Sequence, residues 1–288
     1  MRFVASRCTR CGICVGYRGG YCLTEEPEGI EIDASLCNEC GECAALCPSK
    51  AFYLEGSTLR RIEEARLPGP ESCLELLMSR RSIRHFDGRS VDRELLAKIV
   101  SAGRYAPTMN RRISAIVVDD PAIFAEFEGR ERRFYSAMYR LFFRPQAARA
   151  FIRLFNDDIE TIRRKLEHSL ASPSFLYGAP ALIILTGDTR TILTEESAQY
   201  HLFAMSLFAA TLGLGSCLMD SARIALLRSR SLRRRLGIPR GRRVLGALVL
   251  GHPKERPLNL IEGLGLDLGW NRCPGSALPK DENGRTLP

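Results

Sequence analysis

CTRCGIC at residues 8–14 and CNECGECAALCP at residues 37–48 set six cysteines in two Cys-x2-Cys-x2-Cys runs, each followed by a fourth, Cys22 after seven residues and Cys47 after three. Thiolates are soft donors that suit iron, and three at this spacing wrap three corners of a cubane from one tight loop. The fourth corner then needs a ligand from farther along the chain. Gly12 and Gly41 follow the second cysteine of each run, where a residue without a side chain lets the loop turn close to a cluster. Zinc is the competing reading of paired CxxC motifs, but it takes four ligands and has no use for a third cysteine at the same spacing in both runs. The expectation is two 4Fe-4S clusters on Cys8, Cys11, Cys14, Cys22, Cys37, Cys40, Cys43 and Cys47. Cys73, Cys217 and Cys273 lie outside this framework and read as ordinary packed or free thiols.

The framework resembles that of two-cluster ferredoxins, in which the fourth ligand of each cluster comes from the other run. That resemblance assigns Cys47 to the cluster of Cys8, Cys11 and Cys14, and Cys22 to the cluster of Cys37, Cys40 and Cys43. At 288 residues the chain is long enough for a small module on a larger one. The boundary is expected in residues 58–71, which end in Pro68-Gly69-Pro70, so that residues 1–57 form the iron–sulfur module and residues 72–288 the body. Five basic and eight acidic side chains leave residues 1–57 at −3, and the rest at +12 of the net +9. An acidic electron-transfer head on a basic body fits a module docked on a phosphate-bearing cofactor, although plain electrostatic cohesion produces the same distribution. The sequence shows no membrane-length apolar run and no signal-peptide pattern, so the expected address is the cytoplasm, without a membrane partner.

In the body, helical periodicity begins at Ser72, with Leu74, Leu77 and Met78 on one face, and returns in RELLAKIVSAGRYA after residue 92. Strands are expected at Ile113–Val118, Ala181–Leu185 and Val244–Gly251, and a buried helix at Glu195–Leu212. Residues 121–176 read as helical, with Phe134, Met138, Leu141 and Phe142 as a packing stripe. Their role in the protein is not readable from the sequence. RSRSLRRRLGIPRGRR at 228–243 carries eight arginines, but no nucleic-acid motif accompanies it. Leu232, Leu236 and Ile238 make it an amphipathic helix with a basic face, so no nucleic-acid partner is expected. His85, His168, His201 and His252 have no ligand spacing.

Arg80-Arg81-Ser82-Ile83-Arg84 packs three guanidinium groups and a hydroxyl into five residues, a composition suited to phosphate oxygens. It is followed in order by RYAPTMN at 104–110, GAPALIIL at 178–185, LGLGSC at 212–217 and GALVLGHP at 246–253. Taken with SRRSIRHF at 79–86, this series resembles the nitroreductase family of FMN enzymes. The resemblance implies an α+β fold, a mixed sheet flanked by helices behind the small ferredoxin-like domain. It implies FMN as cofactor, a homodimer with flavin sites at the subunit interface, and an oxidoreductase whose flavin carries the chemistry, with no catalytic side chain. By the same resemblance Arg80, Arg81, Ser82 and Arg84 meet the FMN phosphate and ribityl chain, and Asn110 meets the flavin. Gly213, Leu214 and Gly215 match the turn whose backbone approaches the ring, and Lys254 or Arg256 adds a phosphate cation. On their own the glycines read equally as a helix C-cap.

Two departures stand out. Where the family commonly continues Asn-x-Gln-Pro-Trp, this chain has Asn110 followed by Arg111, Arg112, Ile113 and Ser114, which puts Arg112 in place of an amide near the flavin. The APTMN loop is also one residue short. The expected function is electron transfer from a low-potential donor, a ferredoxin or similar, through two 4Fe-4S clusters to FMN and on to a small electron-poor acceptor such as a nitro compound or quinone. An electron carrier serving a protein partner, and a flavin dehydrogenase or dehalogenase, remain as alternatives. No GxGxxG dinucleotide fingerprint is present.

Overall fold

In the N-terminal module each cysteine run turns through a left-handed glycine, Gly12 at φ 70° and Gly41 at φ 88°, into a short helix: α1 (Ile13–Gly16) and α2 (Glu42–Leu46). The match extends one residue upstream of the middle cysteine. Arg10 (φ 53°) and Glu39 (φ 57°) are both left-handed, a conformation uncommon outside glycine and seen here at equivalent positions of two loops. Strand β1 (Arg2–Phe3) pairs antiparallel with β4 (Phe52–Tyr53), and β2 (Leu23–Glu26) with β3 (Gly29–Ile32). Leu23, Ala44, Ala51 and Phe52 form the small core between them, with the Phe3 and Phe52 rings 5.0 Å apart.

The computed structural model describes residues 1–17, 21–108, 112–142, 159–188 and 193–261. Helices α3 (Pro70–Ser79) and α4 (Arg93–Gly103) lead into β5 (Ser114–Val118), followed by α5 (Pro121–Phe142), α6 (Ile159–Ala171), β6 (Ala181–Asp188) and α7 (Thr194–Thr211). Strand β7 (Gly215–Leu218), α8 (Asp220–Arg228), α9 (Arg230–Arg235) and β8 (Arg242–Gly251) complete the body. Pro70 opens α3 at a first-turn position that needs no N–H. The Asp92 carboxylate caps α4 by accepting the Glu94 amide at 3.0 Å.

The sheet order is β5-β6-β8-β7, with every named pair antiparallel. The parallel component among the described residues is a bridge from Ser82 to Ser216. Both faces are covered, which explains the unbroken apolar runs of β6 and β8. Leu182, Ile184, Val244, Ala247 and Val249 meet α5, α8 and α9, whereas Ala181, Ile183, Leu185, Leu248 and Leu250 meet α4 and α7. Burial of each such leucine or isoleucine contributes about 1.5–3 kcal/mol, so the central strands hold the α+β body together. Met1–Arg256 forms one compact unit. No helix among the described residues is long and apolar enough to cross a membrane.

Two expectations meet differences, and one strand, β7, is not among those expected. Strand β7 is too short and mixed to show a period. Helix α3 buries no residue, and its Leu74 and Leu77 are exposed. The arginine run is helical only at Arg228, where α8 ends, and over Arg230–Arg235, and several of its side chains are structural ties. Arg242 donates to Thr186 O at 2.7 Å and to Ser114 Oγ at 3.0 Å, Arg233 to Arg242 O at 2.6 Å, and Arg235 meets Glu126 at 3.4 Å. Arg243 pairs with Glu195.

Candidate functional site: two cysteine runs and an arginine-lined strand

None of the ten described cysteines is bridged in a disulfide. Their thiols fall into two sets. Cys43 is pushed up to about 11 by burial first and then by the neighbouring Cys40, Cys37 and Cys22. Cys22 is raised by burial and by Cys37 and Cys40. Cys14 is raised by burial, with Cys11 and Cys47 as its charged neighbours. The fourth cysteine of each run therefore stands with the other run: Cys22 with Cys37, Cys40 and Cys43, and Cys47 with Cys11 and Cys14. Among the described residues no three such ligands converge on a single ion. Cys8 Sγ accepts the Arg10 amide at 3.4 Å within the first loop. Burial raises the Cys47 thiol, but Ser49 Oγ at 3.4 Å and the Ala51 amide at 3.2 Å outweigh it and hold the thiol below its usual value. A thiolate donor set, unbridged and with N–H groups aimed at sulfur, fits an iron–sulfur cluster.

The arginine cluster lies on an extended segment pinned from both sides. Arg80 ends α3, its amide bonding Leu76 O at 3.2 Å. Ser82 then bridges Ser216 of β7, with Ile83 N donating to Ser216 O at 2.9 Å. On its other side Phe86 bridges Pro253, Asp87 N donates to His252 O at 3.0 Å, and Lys254 N donates to His85 O at 3.0 Å. Arg80, Arg81, Ser82, Arg84 and Lys254 thus share one strip.

Gly213 has φ +72°, and an added Cβ there would lie 3.3 Å from Arg256 Nη2, which brings Arg256 to the same region. It also caps α7: Gly213 N donates to Ala210 O at 3.0 Å and Leu214 N to Ala209 O at 3.0 Å, the paired bonds of a helix end closed by a left-handed glycine. A Cβ on Gly215 would meet Ile83 Cγ2 at 2.8 Å, so glycine lets the arginine segment lie against β7. Among the described residues Arg80, Arg81, Arg84, Lys254 and Arg256 form no ion pair. Five such cations beside a glycine turn fit a phosphate-bearing cofactor.

Two neighbours have no sequence signal. Tyr177, left-handed at φ 59°, sits 5.9 Å below the Arg84 guanidinium. Buried Cys217 has its thiol raised by desolvation, against the pull of Arg84, Ser82 and Arg80. Asn110 lies outside the described residues. Arg112 is not brought to the cluster within one chain. Its carbonyl accepts from Arg242 Nη2 at 3.0 Å and its guanidinium lies 3.8 Å from Asp188. Gly215 pairs with Gly251, at the opposite end of β8, about 30 Å along the strand at roughly 3.4 Å per residue. His201 Nδ1 lies 2.6 Å from Ser197 O within the core, whereas His85 Nδ1 lies 2.7 Å from Glu255 on the exposed surface.

A mostly antiparallel sheet between helices, with an arginine strip laid on its edge strand, defines a class of enzyme. The family model described as Nitroreductase family matches residues 77–252. The chain belongs to the nitroreductase family and is an oxidoreductase of that family. A 4Fe-4S binding domain model matches residues 30–53, which hold Cys37, Cys40, Cys43 and Cys47. Three solved structures share the fold. An iodotyrosine deiodinase bound to FMN and 3-iodo-L-tyrosine is 18% identical at TM-score 0.52, over 69% of this chain and 99% of that one. A BluB-like flavoprotein from Clostridium difficile 630 is 15% identical at TM-score 0.52, over 67% and 94%. An FMN-dependent nitroreductase from Clostridium difficile R20291 is 18% identical at TM-score 0.50, over 68% and 97%. No curated protein matches the sequence.

Proposed function

We propose that the protein is an FMN- and iron–sulfur-dependent oxidoreductase that passes electrons from a low-potential donor, a ferredoxin or similar carrier, through two 4Fe-4S clusters to FMN and on to a small electron-poor acceptor such as a nitro compound or quinone. The observation that carries it is the strip of un-ion-paired cations, Arg80, Arg81, Arg84, Lys254 and Arg256, around Gly213–Gly215, in a chain that also carries two runs of unbridged cysteines. When bound, the flavin supplies the exchange between one-electron and two-electron chemistry. Arg80, Arg81 and Arg84 hold the phosphate, Ser82 adds a hydroxyl, and the Gly213-Leu214-Gly215 backbone supports the ring side. No side chain acts as a nucleophile.

Two clusters are supported by the matching left-handed pairs Arg10/Gly12 and Glu39/Gly41, which make the second loop a copy of the first. The link between the modules is supported by a cavity of about 820 Å³ that has Cys40 and Cys47 on one side and Arg104 and Tyr105 on the other. Arg104 and Tyr105 begin the loop whose resemblance places it on flavin. A homodimer is supported by exposed Leu74 and Leu77 on α3 and Tyr200 and Phe203 on α7. It also reconciles the placement of Arg112, since a site that uses both Arg80–Arg84 and Arg112 must take them from two chains.

The test is anaerobic reduction of the purified protein by dithionite, followed by mixing with a nitroaromatic acceptor. Flavin reoxidation within the mixing experiment is expected. Its absence with intact clusters would make the protein a carrier for a protein partner.

A further inference from the structure

Between α5 and α8 lies a second cavity, of about 250 Å³, which nothing in the flavin reading uses. Glu131 lines it, is only 3% exposed, and has no hydrogen-bond partner for either Oε1 or Oε2. Ser221 lines it too; its buried Oγ lies close enough to the Glu131 carboxyl to draw the carboxyl's pKa down, but neither side chain makes a hydrogen bond of good geometry. Buried polar atoms left unmade are costly and rare, and three on one small cavity need a reason.

Tyr135 also lines the cavity, its ring stacked on Phe175 at 5.1 Å, while the neighbouring carboxylate Glu128, Arg130 and Ser229 are occupied. Glu128 accepts from Ser174 Oγ at 2.6 Å, Phe175 N at 2.8 Å and Leu176 N at 3.0 Å. Arg130 pairs with Glu126 at 3.1 Å, and Ser229 Oγ caps α9 by accepting the Leu232 amide at 3.2 Å. Arg133 and Arg228 remain on the wall, with Arg228 held 3.9 Å over the Phe134 ring. Phe134, Ile224 and Ala225 make the apolar part. The cavity therefore offers a buried acceptor pair, a hydroxyl, two guanidinium groups and an apolar wall. Its size is below that of a drug-sized pocket, which limits the occupant to a small molecule.

We propose that this cavity binds a small zwitterion, an α-amino acid with an apolar side chain, its ammonium on Glu131 and Ser221, its carboxylate on Arg133 and Arg228, and its side chain against Phe134, Ile224 and Ala225. Burial first, then Glu128 nearby, pushes the Glu131 carboxyl up to about 7 against the opposing pull of the Ser221 hydroxyl. An ammonium group placed there restores the ionised form that the empty cavity disfavours. The site stands apart from the flavin reading and does not depend on it.

Calorimetric titration of the holoprotein with L-phenylalanine and L-leucine tests it, with phenethylamine and 3-phenylpropionate as probes that each carry half of the zwitterion. Expected are one site per chain, at least tenfold weaker binding of both half-probes, and at least tenfold loss in Glu131→Gln and in Arg228→Gln at unchanged iron and flavin content. Should Glu131→Gln fail to fold, Ser221→Ala provides the same readout with a smaller change. The proposal is overturned if neither amino acid gives heat at millimolar concentration, if Glu131→Gln binds as the wild type does, or if phenethylamine binds as well as phenylalanine. Crystals soaked with the amino acid that hold only ordered water in the cavity would overturn it as well.

Discussion

Replacing Gly215 by alanine puts a methyl group 2.8 Å from Ile83 Cγ2, 2.9 Å from Cβ and 3.0 Å from Cγ1. The clash is with the root of a β-branched side chain that has no easy rotamer escape, so the backbone of residues 82–84 must give. It is anchored there by Ile83 N on Ser216 O at 2.9 Å. Overpacking of this kind costs about 1–3 kcal/mol, which for a body of this size lowers Tm by about 2–4 °C per kcal/mol. If Arg80, Arg81 and Arg84 hold the FMN phosphate as proposed, the same shift moves them off it. Loss of one charge-assisted bond, worth about 1.5–3 kcal/mol, weakens FMN about ten- to a hundredfold. The assay is titration of deflavinated protein by quenching of FMN fluorescence, with a thermal melt alongside. Ile83→Ala in the Gly215→Ala background should recover much of both losses, a coupling expected of touching residues. Wild-type FMN affinity and melting in Gly215→Ala would refute the claim that the arginine segment rides on β7.

Other outcomes follow from the same geometry. Arg84→Gln should weaken FMN by about 1.5–3 kcal/mol while leaving riboflavin binding unchanged, and the FMN affinity of the wild type should fall with added salt; equal losses for both ligands in equilibrium dialysis would place Arg84 away from the phosphate. Cys22→Ser should remove the signal of one cluster by electron paramagnetic resonance and leave the other, whereas an unchanged spectrum would break the assignment of Cys22 to the Cys37 loop. Glu131 has a folded value of about 7 against an ordinary 4.5, so the folded state keeps its proton while the unfolded state has lost it. Its stabilisation is complete below about pH 4.5 and is lost as pH rises towards 7. Glu131→Gln should therefore match the wild type near pH 4.5 in urea melts and exceed it at pH 8, by an amount on the order of 3 kcal/mol. A pH-independent difference would contradict that.

The second cysteine run was legible, since soft ligands at fixed spacing serve few other purposes and a 4Fe-4S binding domain model matches residues 30–53. The structure groups Cys22 with Cys37, Cys40 and Cys43 despite the longer spacing before it. The central strands were legible because a sheet covered on both faces demands unbroken apolar runs, as in Ala181–Leu185 and Val244–Leu250. What escaped reading was set by contacts between distant segments. Helix α3 has a helical period but buries nothing within one chain, so periodicity identified a helix without saying what covers its apolar face. Strand β7 is defined by its partners and not by its own four residues. The arginines of residues 228–243 read as a solvated face, and only the fold shows Arg233 and Arg242 spent on backbone carbonyls. Nothing around Glu131 signals burial, since its neighbours in sequence are arginines.

The central claim is that one chain joins two clusters to a flavin. Iron, acid-labile sulfide and flavin analysis of anaerobically purified protein, read with its visible spectrum, tests it most directly. About eight irons and one FMN per chain are expected. Four irons would remove one cluster, and protein that retains its clusters but neither carries nor takes up FMN would overturn the reading of Arg80–Arg84 as a phosphate site.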